Sequence, residues 1–525
     1  MHVVGLDHGD PGRCRREAGI SSQRACRERH RVTHEKSPVK RQNVSARAGG
    51  RRQVAPVDDV RVCRSCGHID PAHSTGRCPT CGLFFELAIV PRPEAEQLAR
   101  RQRRRMVRRR LLRPLLAFAL LGGVTAWAVR VLFDLGFSPP RATTSVSASS
   151  EPHTWAQARR TPQNSGFISD PAPFPHRVRW TYSTTKPLLA SPAVVEHHVY
   201  LTTGDGRTIA LDRHTGQPVW EYRSGWPSSS TPAVAGDVVI FAMRPGRVVA
   251  LHRQTGARRW ETDLRHPILA SPIVVHGTVY IGAADKQLYA LDAATGRQRW
   301  AFAAKDWIVS AVAYADDRVI VASQHSRVHV VGAETGRQRL VYDTGMGRHI
   351  GAGLAIQGDR AYFGSFGGRV WAIDWQATTY PWEPMLLFWK TNLYLWGVLA
   401  KPPVQKGSVW SRSVGGDVVH TPAIAHNMVY VTTSRRQVMA LDTATGTTRW
   451  VADLGVDITA APTVAGASVL IGTKEGVVFG LEAHTGEVLW EFKTAGSIIG
   501  SPIVVGDTMY VVSFDGTLYA VTRAE

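Results

Sequence analysis

The chain has 525 residues, 44% of them hydrophobic, and carries 63 Lys+Arg against 42 Asp+Glu, a formal net charge of +21. The excess is uneven: residues 1–113 hold 26 basic and 11 acidic side chains, so the basic character belongs to the N-terminal part and argues against nucleic-acid binding by the chain as a whole. All six cysteines lie before residue 82, which excludes disulfides and thiol chemistry from everything that follows.

Residues 1–60 are polar, Arg-rich and without apolar periodicity, and read as a disordered basic N-terminus. The next segment, 61–90, contains CRSCGHIDPAHSTGRCPTC. Cys63 and Cys66 form one knuckle, Cys78 and Cys81 a second, with eleven residues between the pairs. Two knuckles supply the four thiolates of a tetrahedral structural zinc site, so the segment resembles a small zinc ribbon. Four sulfurs close such a site, which makes the zinc structural and leaves His68 and His73 to solvent. Residues 91–113 form a basic juxtamembrane segment with seven arginines in 101–110. Residues 114–129 are uncharged, and with Arg130 snorkelling the apolar run reaches Phe133. That length predicts a transmembrane helix over 114–133, with Pro114 in its first turn. Arginine excess before the run puts the N-terminus in the cytoplasm and the rest outside, in a cell membrane. Residues 134–151 read as a linker, and 152–525 as one repetitive domain.

The repetition is explicit. ALDRHTGQPVW ends at Trp220, ALHRQTGARRW at Trp260, ALDAATGRQRW at Trp300, ALDTATGTTRW at Trp450 and GLEAHTGEVLW at Trp490. Copies open at Ser191, Thr231, Ser271, Ala311, Gly351, Thr421, Ala461 and Ser501, forty residues apart except for one step lengthened by thirty. Each copy holds four short β-rich runs separated by turn residues, which is one propeller blade. The eighth copy ends after three strands, while HRVRWTYST, with Trp180, precedes the first. The fold class is therefore all-β: an eight-bladed β-propeller of four-stranded blades, closed by pairing the N-terminal strand with the last blade. The Gly of the Thr-Gly turn lets the chain reverse, and the tryptophans Trp180, Trp220, Trp260, Trp300, Trp410, Trp450 and Trp490 are expected to dock blade on blade. In the fourth copy Leu340 stands where Trp is expected, and the fifth loses its Thr-Gly turn, so those joints are expected to be weaker or differently packed.

The A-L-D-x-x-T-G-x-x-x-W pattern resembles the PQQ-like β-propeller repeat family, over about two thirds of the chain. That family holds quinoprotein alcohol dehydrogenases and also non-enzymatic BamB-like propellers. The dehydrogenase branch would imply a quinone beneath an adjacent-cysteine disulfide, with Ca²⁺ and a carboxylate base. The missing cysteines forbid that disulfide, no C-x-x-C-H haem site is present, and no paired carboxylates or Ser/His/Asp arrangement stand out. The reading is a non-catalytic scaffold or assembly factor in the cell envelope, with structural Zn and without PQQ, its propeller monomeric. A quinoprotein oxidoreductase and an envelope ligand sensor signalling to the ribbon are the alternatives.

Two binding surfaces are expected. Loops joining one blade to the next would ring the channel mouth with Lys186, Trp226, His266, Asp306, Trp307, Arg348, His349, Asp417 and Asp457. The aromatic insertion, 375–405, spaces Trp375, Trp382, Trp389 and Trp396 seven apart. A helix after Pro384 would bring Trp389 and Trp396 to one face. Trp382, Phe388, Trp389, Tyr394 and Trp396 are the candidate partner-binding residues. The insertion has three readings: folded onto the propeller wall, gripping a protein, or dipping into a membrane interface.

Overall fold

The computed structural model describes residues 59–64, 66–70, 78, 88–132, 142–345, 348–380 and 382–524, with the backbone alone for 59, 70, 88, 105–113 and 127–132. It divides into two compact units, 1–122 and 123–525.

In the first unit, strands β1 (Asp59–Val62), β2 (Ile69–Asp70) and β3 (Ala88–Pro91) form an antiparallel sheet in the order β2-β1-β3. The expected disordered segment lies outside the described residues except for Asp59 and Val60, which are in β1. Helix α1 (Arg92–Leu132) follows directly. Its start, with Pro93 and Glu94 in the first turn, suits a free N–H end and the helix dipole. The expected helix start at Pro114 is thus corrected: Pro114 lies inside a longer helix. Every side chain from 114 to 126 is exposed. Among the described residues no helix is long and apolar enough to cross a membrane, so the expected transmembrane helix is not seen as such.

The second unit is the eight-bladed propeller, and blades 1 to 7 are each built on four consecutive antiparallel strands. Blade 1 runs from Ala193–Val195 through His198–Thr202 and Arg207–Asp212 to Pro218–Arg223, and the pattern returns through blade 7. Blade 8 has three strands of its own, and its fourth is the N-terminal strand β5 (His176–Ser183). That strand pairs along Thr517–Arg523, with Trp180 opposite Ala520. The predicted closure is therefore the one observed. A short strand β4 (Phe167–Ile168) adds a parallel edge to blade 7 beside Thr463–Ala465.

The recurring stretch has two jobs. Inside a blade, the Asp or Glu before the turn caps it: Asp292 Oδ1 accepts from Thr295 N–H and Thr295 Oγ1–H, and Asp212 and Asp442 repeat this. Between blades, the Trp at the end of one copy donates its indole N–H to the turn of the next. Trp260 bonds the Ala293 carbonyl at 2.9 Å, Trp300 that of Ala333 at 2.8 Å, and Trp180, Trp220, Trp410 and Trp450 follow suit. The ring lies on the next turn's glycine: a Cβ on Gly296 would stand 2.5 Å from the Trp260 ring. Trp490 has no such turn ahead of it, because blade 8 ends with β5, and it meets the His176 ring edge-on at 4.4 Å.

The odd joint, between blades 4 and 5, is packed differently. Leu340 is fully buried, and Trp375 (1% exposed) supplies the missing indole from the base of the insertion. Its N–H bonds the Gly358 carbonyl at 3.0 Å, and the Arg318 guanidinium lies over its ring. Trp375 is therefore core, unlike the tryptophans that follow it.

Gly296, at φ +71°, needs a left-handed backbone and touches Trp260; Gly455, at φ +68°, has nothing within 4 Å of its Cβ position. Gly455→Ala should cost only the backbone strain, about 1–2 kcal/mol, whereas Gly296→Ala should add about 1–3 kcal/mol of overpacking. Equal losses in chemical denaturation would sink the docking account.

Candidate functional site

The residues that open each copy form a ring around the propeller axis. Thr231 N–H bonds Ser271 Oγ, Gly353 N–H bonds Thr421 Oγ1, and Ser191 Oγ–H bonds the Ser501 carbonyl, each at 3.0 Å across neighbouring blades. They line a central channel of about 350 Å³.

One end of the channel is closed by residues 155–168, which run around the innermost strands and serve them in turn. The chain exchanges backbone bonds with Val194, then accepts from Val234, Tyr314, Ile356, Ile424 and Val464, while the Gln157 side chain serves Val274. An innermost strand otherwise leaves one edge of N–H groups unpaired, and buried donors left so are costly. At the centre sits Arg159, 8% exposed. Its guanidinium donates to the Pro462 carbonyl at 2.7 Å and the Pro422 carbonyl at 2.9 Å. Burial without a carboxylate beside it pulls its pKa down to about 9. Asn164 ties the same segment to the carbonyls of Val312 and Leu354, both at 3.0 Å. Gly166 (φ +60°) crosses the guanidinium so closely that a Cβ would collide with it.

On the wall stands His420, its Nδ1 3.0 Å from Thr432 Oγ1. Burial, and then the charge of Arg159, push its pKa down to about 4. Among the described residues lining the channel there is no Asp or Glu.

The other end is open, and the expected rim residues stand on its loops. They do not converge on one point. Lys186 and His266 are exposed. Asp417 accepts from Gly367 N–H at 2.7 Å, and Asp457 from Arg436 at 3.0 Å. Arg348 lies over the Trp371 ring. One group does gather: Asp306 pairs with His325, whose ring meets His349 edge-on at 4.9 Å. Trp226, Trp307 and Phe514 are each half exposed, on separate loops. The plug and its Arg159 were missed in the sequence, where Arg159 and Asn164 stand near the start of the domain without any repeat to mark them. The recurring Ser/Thr-Pro openings were visible, but only as landmarks of the repeat.

The insertion forms helix α2 (Glu383–Leu395), none of whose residues is buried. Only its legs lie against the propeller: Thr379 N–H bonds the Arg339 carbonyl at 2.9 Å, and Ala377 packs into the blade 4–5 core. Folding of the whole insertion onto the wall is therefore not what is observed. Trp382, Phe388, Trp389, Tyr394 and Trp396 are all exposed.

In the first unit, the Sγ atoms of Cys63, Cys66 and Cys78 lie within 4.8 Å of one another, with Cys66 and Cys78 3.4 Å apart. Tetrahedral zinc with bonds of about 2.3 Å separates its sulfurs by about 3.8 Å, so the three thiols fit that metal. Gly67 N–H bonds the Cys63 carbonyl at 2.8 Å to shape the first knuckle. Cys81 and His73 lie outside the described residues, and His68 is half-buried.

Comparison with known proteins agrees with the propeller. The sequence profile of the family described as outer membrane protein assembly factor BamB matches residues 173–273, 268–386, 400–457 and 435–525. Among solved structures, BamB from Moraxella catarrhalis aligns with a TM-score of 0.55 at 17% identity, over 67% of this chain and 98% of that one. Quinohemoprotein alcohol dehydrogenase from Comamonas testosteroni aligns at 0.57 and 15% identity, over 72% and 82%. A europium-containing methanol dehydrogenase aligns at 0.57 and 14%, over 71% and 98%. At these identities the likeness speaks for the fold alone. No curated protein matches the sequence.

His420 and the buried His329 (pKa also about 4, through burial) bind protons less readily folded than unfolded, where the ordinary value is 6.5. The unfolded chain takes up more protons between pH 6.5 and 4, so stability should be full above 6.5 and fall as pH drops through that window. Thermal unfolding of His420→Asn/His329→Gln should depend less steeply on pH there than the wild type; an unchanged slope would refute the assignment.

Proposed function

Because the chain belongs to the family of the outer membrane protein assembly factor BamB, its funnel is where a scaffold and an enzyme would differ, and we propose that it is a non-catalytic protein-binding scaffold or assembly factor of the cell envelope. The observation that carries this reading is the funnel lining, which among the described residues has no carboxylate and has the Arg159 cation at its floor. A bound Ca²⁺ needs carboxylate and carbonyl oxygens, and a hydroxyl oxidation needs a base to take the proton. A neutral His420 beside a cation is poorly placed to hold the metal.

The rim suits a protein partner instead. Trp226 and Trp307 stand 46% and 49% exposed around the mouth, and half-exposed tryptophans are frequent anchors of protein interfaces. Calorimetric titration of the protein with pyrroloquinoline quinone and Ca²⁺, alongside a dye-linked alcohol oxidation assay, should give neither binding nor turnover. Tight binding with turnover would replace the scaffold by a quinoprotein oxidoreductase. Crosslinking in membranes followed by mass spectrometry should identify a partner at the rim, and Trp226→Ala/Trp307→Ala should lower its yield at least about tenfold. A partner recovered equally well by the variant would move the interface elsewhere.

The N-terminal unit is assigned to structural zinc held by Cys63, Cys66, Cys78 and Cys81. Elemental analysis of the full chain should find one zinc per chain, lost in Cys78→Ser. The protein is further placed at a cell membrane, attached through 114–133 with the propeller on the extracytoplasmic side. The exposed, uncharged side chains of α1 and the arginine excess before them support this.

A further inference from the structure

Helix α2 is an apolar element with nothing covering it. Phe388, Trp389, Leu395 and Trp396 are 62%, 52%, 72% and 66% exposed, and no residue of the helix is buried. Two of its polar side chains bond back onto the helix itself: Thr391 Oγ1–H bonds the Leu387 carbonyl at 2.8 Å, and Asn392 Nδ2–H the Phe388 carbonyl at 2.9 Å. A protein groove covers one stripe of a helix. A helix whose exposed side chains are mostly apolar but include Lys390 and Thr391 suits a boundary between an apolar medium and water.

The position of α2 says which medium. The insertion replaces the turn between the third and fourth strands of blade 5, where Trp375 N–H bonds the Asp359 carbonyl of the turn between the first and second. Residues 143–146 lie on that same face of the propeller: Thr143 N–H bonds Asp292 at 2.6 Å, and the Val146 carbonyl accepts from Gly277 N–H at 2.6 Å. The chain therefore enters the propeller on the face that carries α2.

From this geometry we infer that α2 is a second membrane contact, which inserts into the lipid interface and holds the plugged face of the propeller toward the bilayer, leaving the rim free for a partner. The inference rests on the reading that the protein is attached to a membrane. At thirteen residues α2 is about 20 Å long, too short to cross. Tryptophans at its two ends, Lys390 within it and Lys406 beside its first turn suit the headgroup boundary, where indole and ammonium groups are both accommodated. Glu383, the acid of the helix, is paired with Lys406.

The test uses the full chain with vesicles of phosphatidylcholine and phosphatidylglycerol containing nitroxide-labelled lipid. In the Trp127→Phe background, which removes the tryptophan of 114–133, bound protein should still show quenched tryptophan fluorescence. Adding Trp382→Phe/Trp389→Phe/Trp396→Phe should abolish most of that quenching. A chain lacking 114–133 should float with the vesicles weakly, and Trp389→Ala/Trp396→Ala should lower its apparent affinity about tenfold or more. Flotation of the full chain with α2 unquenched would overturn the inference while leaving membrane attachment standing. Quenching of α2 in a chain whose flotation does not depend on 114–133 would do the reverse. Protection of α2 by an added protein and not by lipid would assign the helix to a partner and overturn the inference.

Discussion

The propeller depends on one pairing. Strand His176–Ser183 lies along Thr517–Arg523, joining positions more than three hundred residues apart, and it turns a row of eight sheets into a ring with no open end. A row would leave a blade face and a strand edge bare at each end. Once the ring is closed, each docking Trp except Trp490, which meets His176, has a next turn to rest on. It must rest on glycine, because there is no room for a Cβ between ring and backbone. The repeat thus couples two scales: the same Thr-Gly that reverses the chain within a blade is the seat for the neighbour's indole. Where the seat is lost, between blades 4 and 5, the joint survives because Trp375 enters from a different position and bonds Gly358.

Closure also explains the plug. The chain must reach His176 from the N-terminal side, and it does so by passing across one end of the channel. Arg159 is the centre of that passage. A guanidinium buried without a carboxylate is expensive, and here the carbonyls of Pro422 and Pro462 meet it instead. The consequence is chemical. The channel has a cation at its floor, hydroxyls around its wall and a neutral histidine, and among the described residues no carboxylate lines it.

The two faces of the ring then differ in kind. The rim carries aromatic and charged loop residues that bond locally and leave Trp226 and Trp307 turned outward. The plugged face carries the N-terminal entry and α2. The two faces therefore expose different side chains, which those of a propeller of eight equal blades would not.

Much of this was legible in the sequence. The forty-residue period, four runs per copy and the orphan HRVRWTYST predict eight blades and their closure, because strand pairing and turn chemistry are local and repeat visibly. The paired cysteines predict four neighbouring thiols for the same reason, and Cys63, Cys66 and Cys78 do lie together, while Cys81 is outside the described residues. The rim residues were found as loop positions, yet their spread around the mouth depends on blade angle, which no period reveals. Trp375 and Trp389 look alike in a heptad spacing; only the packed joint makes one of them core and leaves the other bare. The run over 114–133 predicts a separate helix starting at Pro114, whereas the backbone continues unbroken from Arg92, since helix formation in 92–113 does not require an apolar face. By itself the sequence determined what neighbours in the chain decide: turns, strands, blade count and ligand spacing. What only the tertiary structure decided is what contacts across the ring decide, namely which end of the channel is closed, that a buried Arg159 closes it, and which tryptophans are left facing outward.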